Sequence, residues 1–479
     1  LRIRQILKYI RQKGRQVLPF FVALCYSAAG ECRPLTLSET ITLAQQGSRS
    51  VASSANALSA QRYSLEAAHS EFDTRIVPSI SVGAGGSSGG SGSTDYTAGV
   101  NFERKSTYGT KTTIGPALKK GNDAYVSGVG LNLTQPLLRG FGRDFNLDAT
   151  YSAEAGVAGA SRALYTAQLN AVLVAIATYY EAHRQDVAIG LNDDMAEKLR
   201  ALASMAQAKE GVGLVSPMDS YRAEIRRKDA EDARSQSLQG KQESIDRLKL
   251  ILGLPVSEAI ELVPPPLDEV SVPTLDVCLK TAIDESVDLR QAKSELAEAE
   301  RRTYVAKENT RPDVNLIFDY AREGSGDSVG KSTSFDQNRW GVHLQGSTDL
   351  YRTNQKAVYS QSLLAVSNAR ISLENRTEEL SRQVRQQYDK LKQGQERIAI
   401  REAQIQQAEG KRALAQTKFT HGMADNFDLV EADGELLQAR LNLLAAKVDY
   451  AVGVYVLKGF MGVLVAAVPQ DDSSMMQSK

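Results

Sequence analysis

The chain is predicted to be mainly α with a membrane β-barrel, built as two copies of a strand, long helix, glycine turn and short helix unit. Three observations carry this prediction. A residue pattern recurs at a fixed offset. Helical stretches run for tens of residues without an internal cap. Segments of about ten residues alternate apolar with small or polar side chains.

The N-terminus comes first. Residues 1–16 hold Arg2, Arg4, Lys8, Arg11, Lys13 and Arg15 and no acid, and an apolar stretch then ends in Ser27-Ala28-Ala29. Basic, apolar, then small is the order of a secretory signal peptide, assigned to 1–29. Its removal takes six positive charges from a balance of 57 basic and 57 acidic side chains, leaving the exported chain near −6. Cys25 and Cys32 follow Leu24 and Glu31, not the small residue that lipidation at either cysteine requires.

The repeat sets Lys209-Glu210-Gly211-Val212-Gly213-Leu214-Val215-Ser216-Pro217-Met218-Asp219 against Lys418-Phe419-Thr420-His421-Gly422-Met423-Ala424-Asp425-Asn426-Phe427-Asp428. The same offset takes Tyr179 to Tyr388, Ala223 to Ala432, Leu248-Lys249 to Leu457-Lys458 and Gly253 to Gly462. The first structural repeat is placed at 30–253 and the second at 275–463. A Pro264-Pro265-Pro266 linker at 254–274 separates them, and a tail at 464–479 follows.

Within each copy a helical stretch (38–74, 275–310) runs toward Pro78 or Pro312. A very long helix (144–209, 352–418) then reaches the glycine turn, and a shorter helix (217–252, 426–461) closes the unit. At 1.5 Å per residue the long helix spans about 100 Å, and the two shorter helical stretches laid end to end match it. Each copy thus forms one long rod beside two short ones, the wall of a tall cylinder.

The last helix shows the packing. Leu429, Leu436, Leu443, Tyr450 and Leu457 recur every seven residues, with Ala432, Ala439, Ala446 and Gly453 three beyond the first four, a seam that lets helices approach closely. The first copy keeps the small stripe as Ala223, Ala230, Ser237 and Ser244. Its large positions are Ser220, Arg227, Arg234 and Lys241, a wetter seam.

Four segments alternate: Ile76, Ile80 and Val82 against Ser79, Ser81 and Gly83; Tyr125, Val129, Leu131 and Leu133 against Gly128, Gly130, Asn132 and Thr134; Val314, Leu316, Phe318 and Tyr320 against Asn315 and Asp319; Trp340, Val342 and Leu344 against Gly341, His343 and Gln345. These are placed as outer-membrane strands at about 76–135 and 312–346. Four strands cannot close a barrel alone, so chains must associate. Strand-like text at 96–103 and 108–114 forms an extra hairpin, and the sequence leaves open whether this hairpin joins the barrel or stands above it.

Taken together, the duplicated order, Thr134-Gln135-Pro136-Leu137-Leu138-Arg139-Gly140 entering the first long helix, and Val212-Gly213-Leu214-Val215 at its far end resemble the outer membrane efflux protein (TolC) family over about 36–463. The resemblance implies a homotrimer with a 12-stranded β-barrel in the bacterial outer membrane lipid, continued by a periplasmic α-helical barrel with an equatorial belt from 254–274 and the tail. It implies a passive exit duct of a tripartite efflux pump or type I secretion system, not an enzyme and without a cofactor. The partners implied are a periplasmic adaptor (membrane fusion) protein and an inner-membrane pump or ABC transporter. The tips that dock the adaptor are carried onto Gly213, Leu214, Val215 and Ser216, and onto Gly422, Met423, Ala424 and Asp425. A periplasmic pore constriction is carried onto Asp219, Asp428 and Glu431, of which the last two share a helix face at i, i+3 spacing. Threefold symmetry would make them carboxylate rings favouring cations. Ser216 and Ala424 supply no basic residue at the turn to lock such a gate.

Other chemistry is absent from the pattern. Balanced charge argues against nucleic acid as partner. Four scattered histidines, at 69, 183, 343 and 421, lack metal-ligand spacing, and sparse His and Met lend no support to dedicated metal export. Gly326-Asp327-Ser328-Val329-Gly330-Lys331-Ser332-Thr333 has its glycines one residue too close for a phosphate loop, and Gly86-Ser87-Ser88-Gly89-Gly90 lacks the helix a nucleophile elbow needs. The competing class is a periplasmic coiled-coil adaptor without a membrane channel, which should carry one helical hairpin rather than two.

Overall fold

A computed structural model describes residues 33–85, 93–121, 124–212, 216–265, 272–421, 423 and 426–465. The signal peptide with Cys25 and Cys32, and tail residues 466–479, lie outside the described residues.

The elements in order are β1 (Arg33–Leu35), α1 (Leu37–Gly47), α2 (Arg49–Ser70), β2 (Arg75–Gly85), β3 (Ser93–Lys105), β4 (Lys111–Lys120), β5 (Tyr125–Pro136), α3 (Asp148–Gly211), α4 (Pro217–Leu252), β6 (Ile260–Leu262), α5 (Leu275–Glu285), α6 (Val287–Glu308), β7 (Asp313–Gly326), β8 (Gln337–Ser347), α7 (Thr353–Thr420) and α8 (Asn426–Phe460). Two single-turn helices, Arg143–Asn146 and Val329–Ser332, sit in connections.

Long and short helices begin and end within a few residues of their expected bounds. The stretches 38–74 and 275–310 are each two helices instead of one. Ser48 and Ser286 interrupt them in extended conformation, with ψ of 132° and 120°. The Ser286 hydroxyl accepts from Leu289 N at 3.2 Å, satisfying one of the free donors that open a helix.

Both copies stop their last helix in the same way. Gly253 and Gly462 have φ of 72° and 71°. Leu254 N donates to Lys249 O at 2.9 Å, and Val463 N donates to Lys458 O at 3.1 Å, the Schellman closure that a left-handed glycine permits.

The chain divides into two compact units, residues 1–43 with 175–266 and residues 44–174 with 267–479. In the first, the parallel pair β1–β6 joins Leu35 to Leu262, and Ala203, Ala206 and Ala223 form a small-residue core where α3 meets α4.

In the second unit, α7 runs beside α6, α5 and then α8. Thr303 donates to Ser362 O at 3.1 Å, Cys278 and Ala282 bury against Val384 and Leu391, and Gln387 donates to Gly453 O at 2.9 Å. The long rod beside two shorter helical stretches is therefore found here. A Cβ on Gly453 would lie 2.9 Å from Leu391 Cδ2, so the small position of the seam is what admits α7.

The second unit also holds a six-stranded antiparallel sheet in the order β2-β3-β4-β5-β7-β8. The extra hairpin joins this sheet between β2 and β5. Its second strand begins at Lys111, not Tyr108, and extends to Lys120. Tyr108 lies in the turn, where Gly109 takes φ 96° and packs so closely on Gly140 that a Cβ would meet its carbonyl oxygen at 2.4 Å.

Candidate functional site

The tip between α7 and α8 closes on backbone bonds. Met423 N donates to Lys418 O at 2.8 Å, and His421 Nδ1 lies 2.8 Å from Thr417 O. Of the residues expected to dock a partner here, Met423 is 70% exposed, whereas Gly422, Ala424 and Asp425 lie outside the described residues. At the α3–α4 tip Ser216 is exposed just ahead of Pro217, which opens α4 at the position where a missing N–H costs nothing. Gly213, Leu214 and Val215 lie outside the described residues, as does the side chain of Asp219.

Sequence reasoning missed the apolar side chains that stand around both turns. Val212, Met218 and Tyr221 are exposed at one tip and Phe427 at the other. Their signal was large apolar residues placed next to a turn, outside the heptad seam.

Asp428 and Glu431 are both exposed, one turn apart on α8. Glu431 is not a bare carboxylate. Lys411 of α7 lies 3.5 Å from it and donates to Glu435 at 2.7 Å. The Glu435 hydrogen bond, followed by attraction to both acids, raises the Lys411 pKa. The Lys411 bridge to Glu431 and Glu435 was not legible in the sequence, because the pairing depends on how two helices are staggered. The ladder continues with Arg412 to Asp433 at 2.7 Å, Arg440 to Glu409 at 3.1 Å and Lys447 to Glu402 at 3.0 Å.

The wetter seam of the first copy is paired in the same manner. Arg234 bonds Asp193, Lys241 bonds Asp186 at 2.5 Å, and Asn192 donates to Ser237 at 3.2 Å. Nearby, Tyr179 is fully buried and its hydroxyl bonds Leu35 O at 2.8 Å and Val263 O at 2.5 Å, tying the helix to the β1–β6 pair. Burial pushes its pKa up to about 12.

The sheet has two unlike faces. In register, Ile317, Asp319 and Glu323 of β7 meet Thr134, Asn132 and Gly128 of β5 on one face, while Leu316, Phe318 and Tyr320 meet Leu344, Val342 and Trp340 of β8 on the other. On the polar face Asn132 donates to Asp319 at 2.5 Å, His343 lies 3.5 Å from Asp319, and Arg339 lies 3.1 Å from Glu323. Large side chains on the apolar face stay uncovered, Trp340 at 72% and Leu344 at 70%. The phosphate-loop-like segment caps the end of this sheet instead: Ser332 is fully buried against Ser127, with hydroxyls 2.6 Å apart, and Lys331 pairs with Asp327.

Comparison with known proteins agrees with this geometry. Residues 278–462 match the family described as outer membrane efflux protein. The Campylobacter jejuni CmeC outer membrane channel has a similar structure, with TM-score 0.73 and 13% identity, covering 92% of this chain and 88% of that one. The Vibrio cholerae outer membrane protein VceC gives 0.70 at 14% identity, with 89% and 96% covered. The open state of the Neisseria gonorrhoeae MtrE outer membrane channel gives 0.68 at 15%, with 91% of each covered. No curated protein sequence matches the chain. The mainly α fold with a membrane-type sheet is thus shared with solved outer membrane channels.

Proposed function

We propose that this chain, whose residues 278–462 belong to the outer membrane efflux protein family, is an outer-membrane channel-tunnel and acts as the passive exit duct of a tripartite efflux pump or type I secretion system. The carrying observation is the open six-stranded sheet. Its apolar face is uncovered, its opposite face is polar, and six strands fall short of the eight that the smallest membrane barrel needs. Backbone groups at a free edge cannot face lipid, so β2 and β8 must pair with further copies. Threefold closure places the sheet in the outer membrane and the helices in the periplasm, after removal of a signal peptide at 1–29. The linker 254–274 and the tail belong to an equatorial belt.

In this reading the two tips, Gly213 to Ser216 and Gly422 to Asp425, receive a periplasmic adaptor, and the exposed Val212, Met218, Tyr221, Met423 and Phe427 add apolar area to that surface. Asp219, Asp428 and Glu431 line the constriction. An inner-membrane pump or ABC transporter supplies the energy, since a duct carries out no chemical step. Support comes from the fold shared with outer membrane channels and from the paired helical seams. Purified protein added to planar lipid bilayers should give discrete conductance steps. Protein that stays monomeric and produces no steps would return the helices to an adaptor role.

A further inference from the structure

We propose that the inserted hairpin β3–β4 is part of the lipid-facing barrel wall, so that three copies close a ring of eighteen strands in place of the twelve implied by the family resemblance. This rests on the duct reading above.

The register carries the proposal. Ile76 of β2 pairs with Phe102 of β3, Phe102 with Ile114 of β4, Ile114 with Leu131 of β5, Leu131 with Tyr320 of β7, and Tyr320 with Trp340 of β8. One unbroken row of large apolar side chains thus crosses all six strands. Ile76, Phe102, Ile114, Tyr320 and Trp340 are exposed, so among the described residues none covers the row at these five positions. Three residues further toward the loops that join β2 to β3 and β4 to β5, a row on the other face is small or polar at all six strands. It runs Ser79, Gly99, Ala117, Gly128, Glu323 and Gln337.

A soluble hairpin standing above a membrane has no reason to keep its apolar side chains in line with those of its neighbours. Lipid contact on one face and water on the other does require it. Length agrees: β3 and β4 have 13 and 10 residues, beside 11 to 14 for the other four strands. The hairpin turn is also built into the end of the sheet that leads to the helices. Thr110 donates to Gln135 at 2.5 Å, Gly142 N donates to Tyr108 O at 3.4 Å, and Lys105 donates to Glu71 at 2.7 Å.

The even count matters as well. With six strands, β8 of one copy meets β2 of the next antiparallel, so the alternation continues around the ring. Barrel diameter grows roughly linearly with strand number, making this ring about one and a half times as wide as one of twelve strands. The membrane segment would then pass cargo that a twelve-stranded ring excludes.

Trp340 is the single tryptophan of the sequence and lies in the same row, which supplies an internal reference. The full-length protein is reconstituted into vesicles of brominated phosphatidylcholine, and tryptophan quenching is compared with non-brominated vesicles. The parent chain reports Trp340. In a Trp340→Phe background, Phe102→Trp and, independently, Leu118→Trp report the hairpin, while Thr113→Trp reports the opposite face. Quenching of the Phe102→Trp and Leu118→Trp proteins to the extent of Trp340, with Thr113→Trp spared, is expected. Quenching of Trp340 without quenching at Phe102→Trp and Leu118→Trp overturns the eighteen-strand wall and leaves the duct standing. Equal quenching on both hairpin faces also overturns it. An unquenched Trp340 overturns the duct reading itself.

Discussion

Lys411 Nζ lies 3.5 Å from Glu431, across the gap between α7 and α8. Glu431, expected from the sequence to line a constriction, is therefore paired with a base supplied by the long helix, and Glu435 shares that base at 2.7 Å. Replacing Lys411 by Met releases two carboxylates, so cation over anion permeability in planar bilayers should rise, roughly twofold or more for rings of like charge. The double variant Asp428→Ser, Glu431→Ser should lower it. Unchanged selectivity in both variants would remove these residues from the pore.

The tips should tolerate loss of apolar area poorly. Met423→Glu and Tyr221→Glu each place a charge at an exposed apolar position beside a turn. Each should weaken binding of the periplasmic adaptor by about tenfold, equivalent to about 1.4 kcal/mol, while leaving single-channel conductance unchanged. Adaptor affinity measured on immobilised channel checks this, and wild-type affinity in both variants would move the docking surface elsewhere.

Of the two helix-ending glycines, Gly253 and Gly462, the second should be costly to replace for two reasons. Both glycines hold left-handed φ, which costs a side chain about 1 kcal/mol or more. At Gly462 a Cβ would additionally lie 3.0 Å from Glu285 O. Thermal melts should show Gly462→Ala destabilised relative to the parent chain, and Gly462→Asn less so than Gly462→Ala, since Asn enters this region more readily.

Acid should loosen the unit built around α4. His183 is buried, and desolvation lowers its pKa from 6.5 against a smaller opposing pull from Asp186. A depressed histidine binds fewer protons folded than unfolded. Its contribution to stability is therefore intact above pH 6.5 and is lost as the pH falls below that value. The urea midpoint should fall between pH 7.5 and 5.5 in the parent chain, and fall less in His183→Gln. Equal falls would assign the pH dependence to other groups.

Much of this was legible because helices and their ends are written locally. Gly253, Gly462 and Pro217 punctuate the chain with residues whose backbone chemistry forces a boundary, and the common offset makes each copy a check on the other. Ser48 and Ser286 escaped notice, since a serine is equally ordinary inside a helix and only its extended backbone, with a cap bond at Ser286 alone, distinguishes it. The full length of β4 was hidden by Lys111, Pro116, Lys119 and Lys120, which break the apolar alternation within that strand. Its role emerges only in register with Phe102 and Leu131, and register between strands is a tertiary property. The Lys411 pairing with Glu431 and Glu435 is of the same kind, fixed by the stagger of two helices and not by spacing within either.

A duct of this kind requires closure of the sheet by copies of the same chain in the outer membrane. The direct test is the detergent-corrected mass of protein extracted from isolated outer membranes. A mass of three chains is predicted. A soluble periplasmic monomer, absent from the outer membrane fraction, would contradict it.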